Sequence, residues 1–309
     1  MQRDAATLPT AEPRTGSRIP ALFLLLLGLT YLLIVLGALV RAKDAGLACP
    51  DWPLCFGDLI PQMNVQVAFE WGHRAVAGTV ALAFAGLSIH VLRHPPVPVG
   101  VRRLLALGAV LLGIQIVLGG LTVLLQLASW TVTAHLLTGN SFAATTLWIA
   151  LALRDRERGR PARPRAAGVV RLSVLVATAF LVVQMLLGGL VASSYAGLAC
   201  PEWPTCNGGQ WFPTWRGSVG LHVLHRLNGY ALVTALVAMA VACRRQGRLA
   251  RIAALAVGLA LCEVLVGISN VVFGIPFEVT GLHSALAAAL VLTLALAVRD
   301  VFTRDPVVV

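Results

Sequence analysis

The chain has 309 residues, 58% of them hydrophobic and 12% charged, with a mean hydropathy of +0.84. A soluble domain carries about 25% charged residues, so this composition excludes a chain whose surface is mostly wet, and lipid is the expected solvent. The net charge of +11 does not indicate nucleic acid: apart from Lys43 every basic side chain is arginine, and the arginines sit in short segments between apolar runs, not along one face.

An N-terminal tail, 1–19, carries Arg3, Arg14 and Arg18. The first apolar run, 20–40, is too long for the roughly 7–15-residue core of a cleavable signal and reads as a membrane span. A loop follows whose residues 45–55 read AGLACPDWPLC. Span two, near 70–92, opens on Glu70-Trp71-Gly72-His73-Arg74. Spans three and four fall near 103–125 and 130–153, with His135 at the start of the fourth. An arginine-rich linker, 154–169, leads into span five, 170–192. The next loop reads AGLACPEWPTC at 196–206. Span six, 219–243, starts with His222, His225 and Arg226; span seven is 250–272; span eight, 279–299, starts with His283; and a tail, 300–309, ends the chain. Each run matches the roughly 20 residues that cross a hydrocarbon core of about 30 Å.

The chain repeats itself. The two cysteine loops stand 151 residues apart, as do Gly37-Ala38-Leu39-Val40 and Gly188-Gly189-Leu190-Val191, and the His-Arg pairs His73-Arg74 and His225-Arg226 stand 152 apart. The expected fold is therefore an all-α integral membrane protein of eight transmembrane helices, built as two pseudo-symmetric four-helix bundles, 20–153 and 170–299, in parallel orientation. Nineteen of the 24 Lys and Arg residues fall in the tails and in the loops after the even-numbered spans. The excess of basic residues on that side predicts that both termini are cytoplasmic.

That topology puts Cys49, Cys55, Cys200 and Cys206 outside, in an oxidising compartment, where each pair is suited to a disulfide. Metal ligation and free reactive thiols are the alternatives, and a six-residue spacing with proline between matches neither a redox CxxC nor a zinc knuckle. Cys243 and Cys262, on helices, read as packing residues.

His90 and His94, beside Arg93 and Pro95, read as interface residues at the cytoplasmic end of span two. The other five histidines gather at the outer ends of the even spans. A lone intramembrane histidine is most simply a hydrogen-bonded packing residue, but His73 with His135 and His225 with His283 recur in matching places, separated by 62 and 58 residues. Two helices that each offer an inward neutral imidazole can ligate a haem iron from both faces; zinc, the rival metal, rarely makes do with two histidines. Glu70 precedes His73 by one helical turn, and the matching residue of the second half is His222. A carboxylate beside only one pocket points to chemistry in the first half, although a glutamate at a helix start is also favoured by the helix dipole. Arg74 and Arg226 are candidate contacts for haem propionates, with snorkelling to headgroups as the plainer reading. The tryptophans Trp52, Trp71, Trp203, Trp211 and Trp215 fit an interfacial belt.

In combination, Glu70-Trp71-Gly72-His73-Arg74, His135, His225-Arg226, His283 and the two cysteine pairs resemble the haem A synthase family over about 22–298. That resemblance implies an oxidoreductase that converts the C8 methyl of haem O to the formyl group of haem A for aa3-type cytochrome oxidase. It further implies haem b between His225 and His283, the substrate haem between His73 and His135, and a functional glutamate at Glu70. A haem O synthase and oxidase assembly factors are the implied partners, and a bacterial cell membrane the implied location. Two rivals share the bis-histidine pattern: an electron-transfer cytochrome b and a haem carrier without catalysis. Neither needs Glu70 or the outer cysteine loops.

Overall fold

The computed structural model describes residues 18–159 and 166–302. Arg3, Arg14, Arg160, Arg163, Arg165 and Arg304, counted above for topology, lie outside the described residues. Eight long helices are present: α1 Ile19–Ala42, α2 Val65–Arg93, α3 Val99–Leu124, α4 Ser129–Glu157, α5 Gly168–Ser193, α6 Gly217–Cys243, α7 Arg248–Val272 and α8 Phe277–Phe302. All eight are long and apolar enough to cross a membrane. Lipid cannot satisfy backbone N–H and C=O groups, and the helix closes them within one segment.

The main departure from the sequence reading is the start of α2, five residues earlier than expected. Asn64 is the reason. Its side chain accepts the Val67 N–H at 2.9 Å, closing one of the open donors of the first turn. Glu70 and His73 therefore lie one to two turns inside the helix, not at its mouth. His135, His225 and His283 are likewise two turns or so inside α4, α6 and α8. The linker is correspondingly short, because α4 continues through Arg154 and Arg156 to Glu157.

The packing repeats with the sequence. Helix α1 packs on α2 and α4 as α5 packs on α6 and α8, and α3 packs on α4 as α7 packs on α8. The halves meet through α1 against α8 and α4 against α5 and α8. Hydrophobic burial does not drive helices together in lipid, so close approach and polar contacts must do it. Gly281 of α8 is covered by Leu39 of α1, and Gly189 of α5 by Thr133 of α4; a Cβ on either glycine would fall 2.7 or 2.9 Å from those side chains. Across the same seam Tyr31 donates to the Ala285 carbonyl and Trp148 to the Ala295 carbonyl, each at 2.8 Å. Arg299, 6% exposed, reaches Asp155 at 2.6 Å and ties α8 to α4 near their C-terminal ends. The N-terminal core is built on Phe23, Phe84 and Phe142 in edge-to-face contact. Its C-terminal counterpart uses Leu236, Met239 and Leu294.

The two long loops after α1 and α5 also match. Disulfides join Cys49 to Cys55 and Cys200 to Cys206. Each loop closes with an isolated bridge, Cys55 with Asp58 and Asn207 with Gln210. Asp51 accepts the Phe56 and Gly57 N–H groups at 2.6 and 2.8 Å, and Glu202 accepts those of Gly208 and Gly209 at 3.0 and 3.1 Å. These hydrogen bonds, led by that from Gly57 for Asp51 and that from Gly209 for Glu202, hold both carboxyls below their usual range.

Candidate functional site

Each of the four histidines stands against a glycine of the preceding helix. A Cβ on Gly37 of α1 would sit 3.0 Å from Cε1 of His73, and one on Gly188 of α5 would sit 3.1 Å from Cε1 of His225. The same contact joins Gly119 of α3 to His135 at 3.3 Å, and Gly267 of α7 to His283 at 3.5 Å. An imidazole Cε1 thus comes up against bare backbone four times over. The repeated Gly in the sequence motif after 37 and 188 has this steric reason.

The histidine-bearing helices do not close on each other. Neither α2 with α4 nor α6 with α8 forms a packed helix pair, although each packs on neighbours around it. Each pair is linked through a shared neighbour instead: α2 and α4 both pack on α1, and α6 and α8 both pack on α5. The pairs expected from the sequence, His73 with His135 and His225 with His283, thus fall on helices that flank one shared neighbour in each half. Among the described residues, no three His, Cys, Asp or Glu side chains gather into one cluster.

Glu70 is 4% exposed. Its Oε2 accepts the Cys49 N–H at 2.8 Å and its Oε1 meets Arg74 at 2.6 Å. Arg74 also donates to the carbonyls of Asp51, Leu54 and Cys49 at 2.7, 2.6 and 3.0 Å. Arg226 repeats this with the carbonyls of Thr205 and Cys200 at 3.0 and 2.8 Å. The terminal nitrogens of both arginines thus hold the disulfide loops over the helix ends, a structural use that spacing alone does not reveal. His222, 4% exposed, occupies the place of Glu70: its Nδ1 lies 3.3 Å from the Cys200 N–H and 3.0 Å from the Ala196 carbonyl. His90 and His94 stack on each other at 4.3 Å, far along α2 from this site.

Three polar residues around the histidines escaped the sequence reading. Gln184 of α5 lies 3.2 Å from Nδ1 of His225, Gln115 of α3 lies 3.3 Å from Nε2 of His135, and Glu263 of α7 lies 2.5 Å from Nδ1 of His283. An ionisable or amide side chain in mid-span is costly in lipid and marks a site, and Glu263 is the carboxylate that this rule singles out in α7.

The family model described as cytochrome oxidase assembly protein, COX15-CtaA, matches residues 21–295. The chain is 30% identical over 306 residues to a protein of Shewanella oneidensis named heme A synthase, covering 86% of this chain and 91% of that one. It is 30% identical over 271 residues to a heme A synthase of Halalkalibacterium halodurans, with 85% and 90% covered, and 27% identical over 359 aligned positions to one of Sphingopyxis alaskensis, with 99% of each covered. A match of this extent, over both halves and all eight helices, places the chain in the COX15-CtaA family.

Proposed function

We propose that this protein is a haem A synthase, an integral membrane oxidoreductase that oxidises the C8 methyl of haem O to the formyl group of haem A for aa3-type cytochrome oxidase. The observation that carries this reading is the duplicated pair of glycine-seated histidines in a chain of the COX15-CtaA family. Haem fits the residues present. The donor sets are pairs of imidazoles on helices that stand apart, and Nδ1 of His73 and His135 is buried without a hydrogen-bond partner. Burying an unpartnered imidazole nitrogen is costly, and a polar group kept at membrane depth at that cost marks a site.

In this reading His73 and His135 bind the substrate haem, and His225 and His283 hold haem b. Haem b, when bound, supplies one-electron redox chemistry. The methyl is hydroxylated twice, and the resulting gem-diol loses water to the aldehyde. With water as the oxygen source, each hydroxylation releases two protons and two electrons, the electrons leaving to an external electron acceptor, so positive charge develops beside the ring. Glu70, a turn before His73, is the buried carboxylate placed to stabilise that charge or accept the proton. The disulfide loops, fastened by Arg74 and Arg226, cover the outer ends of both bundles and limit water there. The distribution of arginine supports a cell-membrane location with both termini cytoplasmic. A haem O synthase and oxidase assembly factors are the partners this reading implies.

The test is to purify the protein in detergent, extract its haems and separate them, with and without a co-expressed source of haem O. Haem b together with haem O and haem A is the expected result. Haem b alone despite supplied haem O would make it an electron-transfer cytochrome, and haem O without haem A would make it a carrier.

A further inference from the structure

The four histidines are not supported alike. In the C-terminal half, the Gln184 amide lies 3.2 Å from Nδ1 and 3.5 Å from Nε2 of His225, and Asn228 donates to Gln184 Oε1 at 2.8 Å and to the Phe180 carbonyl at 3.1 Å, so the amide is fixed from behind. Glu263 Oε2 lies 2.5 Å from Nδ1 of His283, in ion-pair contact rather than an aligned hydrogen bond, and neither buried atom has another partner. The repeat puts Leu33 where the second half has Gln184, Val76 where it has Asn228, and Gln115 where it has Glu263. His73 keeps a buried Nδ1 with no partner, and the neutral Gln115 amide meets His135 at Nε2, 3.3 Å away, leaving its buried Nδ1 without one.

Resting on the haem reading above, we infer that Gln184, Asn228 and Glu263 are positioning residues that retain the haem of the C-terminal half, and that Leu33, Val76 and Gln115 leave the N-terminal half free to take up and release its haem. A polar partner on the second ring nitrogen fixes the tautomer and orientation of a ligating histidine and raises its basicity; its loss typically costs about 10–100-fold in metal affinity. A leucine or valine offers nothing of the kind. The asymmetry matches the demands on the two halves. A resident redox group must stay through many turnovers, whereas a substrate site that held its product as tightly would stop after one.

The experiment uses the haem-loaded protein in detergent and follows transfer of each haem to excess apomyoglobin, with the midpoint potential of the C-terminal haem as a second readout. In Gln184→Leu and Glu263→Gln, release of the C-terminal haem is expected to quicken by about 10–100-fold, with release from the N-terminal half unchanged. Glu263→Asp, which keeps the charge, should stay near the parent. Removing the carboxylate should favour the reduced haem by about tenfold at fixed potential, a rise of about 59 mV for one electron. The reverse exchange, Leu33→Gln with Val76→Asn, should slow release from the N-terminal half. Unchanged release and potential in all of these, or a Glu263→Asp protein as leaky as Glu263→Gln, would overturn the inference. Undiminished C-terminal haem in His283→Ala would instead remove the ligand assignment beneath it.

Discussion

Alanine at the four histidine-facing glycines separates the stability of the bundle from its hold on haem. In Gly188→Ala the new Cβ would meet Cε1 of His225 at 3.1 Å, so the ring must retreat by a few tenths of an ångström. It is not free to do so, because Gln184 holds its Nδ1 and Asn228 holds Gln184. Overpacking a tight site costs about 1–3 kcal/mol, which is about 5–150-fold in affinity when it falls on the ligand. The same substitution returns up to about 1 kcal/mol of helix propensity. Haem content per protein should therefore fall while the thermal midpoint of the haem-free protein holds or rises. Gly267→Ala places its Cβ at 3.5 Å, an ordinary contact, and should keep its haem. Gly37→Ala is the closest approach at 3.0 Å, yet His73 has no partner at Nδ1 to resist a small shift, so its loss should be smaller than that of Gly188→Ala. Haem quantified as its pyridine complex, with melting followed by intrinsic fluorescence, reads both quantities. A Gly267→Ala protein that loses haem as readily as Gly188→Ala would refute the seating argument.

Three further outcomes follow from the loops and the seam. Asp51 titrates below its usual range in the folded protein, chiefly through the Gly57 N–H, so its support of the cysteine loop is present above the usual aspartate range and is lost as pH falls through and below it. Exchange of the Phe56 and Gly57 amides, relative to intrinsic rates, should accelerate over that window, and Asp51→Asn should flatten the dependence. His222→Leu removes the side chain nearest the buried Cys200 N–H and should cost about 1–3 kcal/mol, seen as a lower thermal midpoint. Arg299→Met removes the 2.6 Å contact to Asp155 and should destabilise by about 1.5–3 kcal/mol; denaturant unfolding that does not move would show the α4–α8 seam to be held otherwise.

Eight helices were legible because an apolar run of this length has few alternatives in lipid, and the matching places of the four histidines because the halves repeat. The start of α2 was misjudged, although Val65 to Phe69 is apolar apart from Gln66, because its signal, Asn64, is a local capping device instead of a hydropathy feature. The work of Arg74 and Arg226 was hidden for another reason: their partners are backbone carbonyls, which carry no residue identity. Gln115 and Glu263 were within reach in principle. However, the offset between halves drifts from 151 at the cysteine loops and 152 at the His-Arg pairs to 148 between His135 and His283, because α2 is two residues longer than α6, α3 one longer than α7, and the connection between α2 and α3 one longer than its counterpart. Only the structure shows that both side chains meet the histidine of the following helix.

The exchange of Glu70 for His222 bears most directly on which half does chemistry. Both residues are buried and both reach the backbone N–H of the first cysteine in their loop. Both are followed four residues later by an arginine bonded to loop carbonyls. The second half therefore demonstrates that the fold can hold this loop with an imidazole, and that the arginine is satisfied without an adjacent carboxylate. A carboxylate at position 70 is not a requirement of the architecture, so its presence in the half assigned to substrate calls for a chemical reason. Glu70→His makes the first half imitate the second. It should fold, keep its disulfide, bind haem in both halves and accumulate haem O without haem A. Normal haem A output from that protein would remove Glu70 from the mechanism, since nothing structural would then distinguish it from its counterpart.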